Sequence, residues 1–175
     1  DIDPDPFFDF TQERPEQVID EDGERQIQWP ENDFMIIRYP EGARDMIVLN
    51  GVEPHVSWGT FSQCIVEVAR GLGCNLVVSL GAAAEQTPHT RVPLVVGSTT
   101  NEELASRLGL SRPQYQGPTG VAGVMLGALD DAKIPSISLR VGVPHYLMHA
   151  QHPKSAAALL QHLQHVLGIP TDHAN

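Results

Sequence analysis

Asp45-Met46-Ile47-Val48-Leu49, followed by the loop Gly51-Val52-Glu53-Pro54 and then a long amphipathic segment, is the stretch on which the fold turns. A short continuous apolar run bounded by turn residues reads as a buried strand. In the segment after it, Phe61, Ile65, Val68, Ala69 and Leu72 recur at the spacing of one helical face. Ser57 is placed as the N-cap of that helix and Gly73 as its stop. A buried strand that feeds a crossover-length helix is the unit of a parallel sheet. Parallel βα units are therefore expected over residues 43–175.

Working outward, residues 24–29 and 34–39 are β-prone and are separated by Pro30-Glu31-Asn32-Asp33. They predict a hairpin or paired edge strands, so residues 1–42 are expected to be extended and antiparallel. Downstream, Asn75-Leu76-Val77-Val78-Ser79-Leu80 is a second buried strand. Arg91-Val92-Pro93-Leu94-Val95-Val96 is a third, at an edge or a strand start because Pro93 has no N–H for a ladder. Thr100 and Glu103 have the spacing of a capping box ahead of a short helix that ends at Gly109. Residues 121–129 are apolar nearly all round, with Gly123 and Gly127 four apart, and predict a buried helix held close to its neighbours. Ile137, Leu139 and Val141 alternate with Ser136, Ser138 and Arg140, a strand with one more polar face. Ala156, Leu159, Leu160, Leu163, Val166 and Leu167 form a stripe entered through Pro153 and stopped at Gly168, a covering helix. The whole reads as one α/β domain with a mostly parallel central sheet and helices on both faces.

Composition narrows the partners. At 175 residues and 41% hydrophobic, the chain is long enough for one full core. Eleven Lys+Arg against 22 Asp+Glu leave a formal charge of −11, which repels phosphate backbones and anionic lipid, so neither nucleic acid nor a membrane is an expected partner. No run approaches the roughly 20 apolar residues of a membrane span. Cys64 and Cys74 lack the paired spacing of a zinc site, and a reduced, cytoplasmic compartment fits them. The opening Asp1-Ile2-Asp3-Pro4-Asp5-Pro6 lacks an initiator Met, which reads as a piece of a longer chain. Its alternating aspartates lack the further ligands of a calcium loop and read as a solvated turn.

The distinctive polar chemistry lies in four short motifs, three of them directly after or shortly behind apolar runs. Loops at the carboxyl ends of strands converge on one crevice in an open α/β sheet. Glu53, beside Pro54, His55 and Trp58, is suited to act as a base or to bind a hydroxyl pair, or equally to cap a helix N-terminus. Trp58 reads as amphipathic surface or an oligomer contact. His89 and Arg91 flank Thr90 in a loop after Gly81-Ala82-Ala83-Ala84, whose small residues allow close approach of a ligand or another chain, and suit a carboxylate or phosphate, or equally the loop's own carbonyls. Gly117-Pro118-Thr119-Gly120 opens a helix whose free amides suit an anion, with Thr119 adding a hydroxyl, or equally serves as a turn and helix cap; the P-loop lysine and the full dinucleotide fingerprint are missing. His145 and Tyr146 end the last strand. His149 and His152 follow, bracketed by prolines and without a zinc-binding helix pattern, so no metal is expected. His162 and His165 fall on the polar side of the last helix. No nucleophile elbow or thiol signature is present.

Taken in order, Gly51-Val52-Glu53-Pro54, Leu80-Gly81-Ala82 with Pro88-His89-Thr90-Arg91, Tyr115-Gln116-Gly117-Pro118-Thr119-Gly120 and Val143-Pro144-His145-Tyr146 make this chain similar to the PAC2 family, named for the proteasome assembly chaperones. The likeness runs from Phe7 to about Leu167 and looks closest to the actinobacterial branch. It implies a three-layer α/β/α domain similar to nucleoside phosphorylases, assembled as a homo-oligomer, and no settled activity. Two family features are missing, a leading βα unit with a Gly-rich loop and a helical C-terminal extension. The ending Thr171-Asp172-His173-Ala174-Asn175 also differs from the hydrophobic-Tyr-any tail by which some relatives dock on the proteasome.

Three functions compete at this point. The first is a non-catalytic, chaperone-like protein-binding or assembly homo-oligomer with no cofactor. The second is a phosphorylase- or hydrolase-type enzyme, with Glu53, His89 and His145 as catalytic groups and Arg91, Thr119, Gly120 and Tyr146 holding a nucleoside-like or small anionic substrate. The third is a purely structural oligomer.

Overall fold

The structure, a computed structural model, describes residues 1–39 and 44–171. The expected boundary at Gly42 and the tail at 172–175 lie outside the described residues. In chain order the elements are β1 (Glu16–Ile19), β2 (Arg25–Gln28), β3 (Asn32–Ile37), β4 (Met46–Gly51), α1 (Trp58–Gly71), β5 (Val77–Glu85), β6 (Val95–Ser98), α2 (Glu102–Leu108), α3 (Val121–Asp131), β7 (Ser136–Pro144), a 3-10 turn (His145–Leu147) and α4 (Pro153–Leu167). Contacts divide the chain into two compact units, Asp1–Val68 with Thr119–Ala128, and Ala69–Pro118 with Leu129–Asn175.

The first unit is built on two antiparallel ribbons, β1 with β2 and β3 with β4. The β1–β2 turn is closed by Asp20, whose carboxylate accepts from the backbone N–H of Asp22 and Glu24, while Gly23 takes the left-handed φ of 83°. That turn pairs residues 25–28 backward with 16–19, so the expected partnership of 24–29 with 34–39 is replaced. The strand at 34–39 pairs instead with β4, Phe34 opposite Leu49 and Ile36 opposite Ile47. The run at 46–49 is therefore half of an antiparallel pair and does not open a parallel series. Against the β3–β4 ribbon Ile2, Phe7, Phe8, Phe61 and Ile65 form a buried cluster, with Phe10, Phe34, Leu49, Val52, Val121 and Met125 packed on it. Phe7 meets Phe61 edge to face, with centroids 5.3 Å apart.

Ser57 precedes α1 with a left-handed backbone, φ 57°, and its carbonyl accepts from Phe61 N at 3.0 Å. Trp58 is tied back by Nε1 to the Pro54 carbonyl at 2.6 Å and is half-buried.

In the second unit one three-stranded sheet has the order β5-β7-β6, with β5 parallel and β6 antiparallel to β7. The sheet is mixed where a mostly parallel one was expected. The reason is the link between β5 and β6, residues 86–94. It is shorter than the dozen or more residues a parallel crossover needs, so the chain turns back. The strand expected to end at Leu80 runs on through Gly81-Ala82-Ala83-Ala84 to Glu85, in register with Arg140–Pro144.

Ile137, Leu139 and Val141 are buried on one face of β7. Ile137 and Leu139 pack with Leu104 of α2 and Leu163 of α4, and Val78, Leu110, Leu159 and Leu160 close the cluster. Helix α2 is capped by Asn101, whose side chain accepts from Leu104 N, and not by the expected Thr100, which donates to Asp130. Two helix ends share one termination. Gly73 and Lys133 both take left-handed φ, 65° and 61°, while Cys74 N reaches Ala69 O and Ile134 N reaches Leu129 O. Helix α3 is less enclosed than its composition predicts: Leu129 is buried, but Gly123 and Gly127 are exposed. No helix among the described residues is long and apolar enough to cross a membrane.

Candidate functional site

The four motifs form two groups of contacts, one within each unit. In the first unit Glu53 leaves β4 past Val52, and its Oε1 accepts from Val121 N at 3.4 Å, the long limit of a hydrogen bond. That amide opens α3, whose N-terminal dipole favours a carboxylate. The same oxygen lies against the Cα of Gly120, and the Thr119 side chain folds over Gly123. Glu53 thus comes beside Gly120, one of the two residues expected to hold an anion. Glu53 is exposed, as are Thr119 and Gly120.

Behind this motif His55 holds the N-terminal segment. Its Nδ1 accepts from Asp9 N at 3.1 Å, and its backbone N–H donates to Phe7 O at 2.9 Å. Asp9 caps its own turn, accepting from Gln12 Nε2 at 2.9 Å and from Thr11 Oγ1 at 2.6 Å. These bonds, Gln12's first, with a smaller contribution from His55, lower the Asp9 carboxyl to about 2.

In the second unit His89, Tyr146 and Lys154 meet. Tyr146 Oη lies 2.9 Å from His89 N and 3.0 Å from His89 Nδ1, while Lys154 Nζ donates to the carbonyls of His89 and Thr90 at 3.3 and 3.2 Å. The phenol oxygen accepts the backbone N–H, and the tautomer of His89 sets whether the phenol donates to Nδ1 or Nδ1–H donates to the phenol. His145 stacks edge-on against Tyr146, with centroids 5.3 Å apart. Arg91 is exposed on the same loop, and among the described residues its guanidinium has no partner. Tyr115 belongs to a separate turn, where its Oη donates to Pro118 O at 3.0 Å and its ring covers Gly117, whose φ of 151° and lack of a Cβ admit it.

Lys154 was not singled out from the sequence. Its only local signal is its place just inside α4 after Pro153, and its role depends on a loop more than sixty residues away. His152 also gains a local task, since its Nδ1 lies 2.8 Å from Ser155 Oγ at the start of α4. Ser155 Oγ in turn donates to Gly142 O of β7 at 3.2 Å.

A family-wide sequence description, the PAC2 family, matches residues 1–175. The fold superposes on a PAC2 family protein from Streptomyces avermitilis with a TM-score of 0.92 and 35% identity, covering 99% of this chain and 74% of that one. It superposes on the proteasome-assembly chaperone homologue of Mycobacterium tuberculosis with a TM-score of 0.88 and 36% identity, covering 99% and 73%. An uncharacterised protein of Methanocaldococcus jannaschii is 31% identical over 160 residues, 88% of this chain. This chain spans 58% of the length of that relative. With a match along its full length and actinobacterial structures among its near neighbours, this chain belongs to the PAC2 family.

Proposed function

We propose that the protein is a non-catalytic binding or assembly protein, chaperone-like and working as a cytoplasmic homo-oligomer, on the family's three-layer frame. The observation that carries this reading is the His89–Tyr146–Lys154 contact, in which the strand-end polar groups are spent on holding a loop. A general base needs a lone pair directed at a substrate proton, and of the two His89 ring nitrogens Nδ1 is taken up by Tyr146 Oη, which leaves Nε2 alone for a partner. Glu53 is likewise engaged with the start of α3.

What the loop leaves over is donors. The Arg91 guanidinium suits an acidic group on a partner protein, supplying a bidentate fork. Similarity to a protein described as a proteasome-assembly chaperone homologue supports an assembly role.

The test is in-cell crosslinking of the full-length protein followed by mass spectrometry. The reading expects a reproducible heterologous partner alongside self-association. Repeated recovery of the protein alone would count against it, as would phosphate-dependent release of base from nucleosides that is lost in His89→Ala.

A further inference from the structure

The sheet of the second unit has a polar face that none of the four motifs uses. Pairing places Ser138, Arg140 and Gly142 of β7 on one side, with Ser79, Gly81, Ala83 and Glu85 opposite them on β5 and Val96 and Ser98 on β6. Helices α2 and α4 pack on the other side, against Ile137 and Leu139. The polar side holds a cavity of about 260 Å³ lined by Ala83, Glu85, Val96, Ser98, Arg140 and Gly142 among others.

Small residues make this trough. The Glu85 carboxylate lies directly over the Gly142 Cα, where any Cβ would collide with it, and the Arg140 stem crosses Gly81. Glu85 and Arg140 have opposite charge and line the same hollow, yet they form no ion pair with each other. Among the described residues neither they nor the Ser98 and Ser138 side chains have any hydrogen-bond partner. Four unpartnered polar groups around one concavity, two of them charged with opposite sign, suit a ligand that brings both charges itself.

We propose that this trough binds a small amino-acid-like zwitterion. Its carboxylate lies on the Arg140 guanidinium, its ammonium on the Glu85 carboxylate and its side chain over Val96 and Ala83, with Ser98 and Ser138 offering hydroxyls. The volume is below the roughly 300–1,000 Å³ of sites for drug-sized ligands and suits a single amino acid or a dipeptide.

The standard L-amino acids and glycylglycine, each at about 10 mM, are screened against the full chain by thermal melting, and hits are titrated calorimetrically. At least one should raise Tm saturably, by about 3 °C when present at tenfold its Kd. Glu85→Gln and Arg140→Gln should each weaken it at least about tenfold, and Arg140→Lys less, because charge survives while the fork is lost. Melting without ligand checks that the variants fold, and Arg140→Lys keeps the test open if either glutamine variant does not. The proposal is overturned if no zwitterion raises Tm, if the shift persists in the variants, or if acetate or methylammonium alone does as well.

Discussion

The two units solve the same packing problem with different side chains. In the first, five phenylalanines, Phe7, Phe8, Phe10, Phe34 and Phe61, gather at the β3–β4 ribbon, and much of the strand surface stays uncovered: Met35, Ile36 and Ile37 in a row on β3, and Ile19 and Ile27 on the hairpin. In the second, branched aliphatics from β7, α2 and α4 cover one face of a sheet whose central strand is almost wholly buried, while Leu80 and Val96 on the outer strands stay exposed. A few large rings concentrate contact at few positions, whereas an aliphatic layer spreads it over many. The first unit should therefore depend on single residues more than the second.

Phe61→Ala tests this most severely. It removes a buried ring and its edge-to-face contact with Phe7, and it should cost about 3–5 kcal/mol in urea unfolding. Leu139→Ala in the second unit should cost about 2–5 kcal/mol, at the lower part of that range because its neighbours can close in. If Leu139→Ala proves the more damaging of the two, the contrast between the cores fails.

Tyr146→Phe probes the second unit's polar cluster. Loss of the phenol oxygen leaves His89 N–H and Nδ1 exposed to water, so the cost to stability should be about 1 kcal/mol, with faster hydrogen exchange at the His89 amide. Unchanged exchange at that amide would show that Tyr146 does not hold the loop.

The smallest effect is expected at Asp9 in the first unit. Folding lowers its carboxyl from 3.8 to about 2, so the stabilisation is complete above the unfolded value and is lost as pH falls through the folded one. The stability difference between the wild type and Asp9→Asn should shrink across that window. A difference that is constant from neutral pH down through it would remove Asp9 from the account.

The units also differed in how far they could be read from sequence. Periodicity located α1, α2, α3, α4 and the alternation along β7, because each records a local face. Strand partners were less visible. Asp22-Gly23 is a strong hairpin signal that sets β2 against β1, yet the Pro30–Asp33 linker drew the pairing forward to β3. Direction in the sheet depended on the length of one link, residues 86–94, and the extension of β5 through Gly81–Glu85 on register with β7.

At the site, Glu53 reads as a helix-capping carboxylate, but that it meets the helix opening at Val121, far along the chain, is a pairing of distant segments that local pattern does not carry. Lys154 and the free pair Glu85 and Arg140 emerged only when distant strands and helices were brought together.

Arg91 supplies the most direct test of the central claim, that these strand-end groups bind a partner and do not catalyse. Its guanidinium is exposed and holds nothing in place among the described residues, so Arg91→Ala should leave the melting temperature unchanged. Crosslinked recovery of the heterologous partner, quantified against wild type, should fall at least about tenfold, the loss expected when a charge-assisted contact is removed. Equal recovery by Arg91→Ala and wild type would contradict the account.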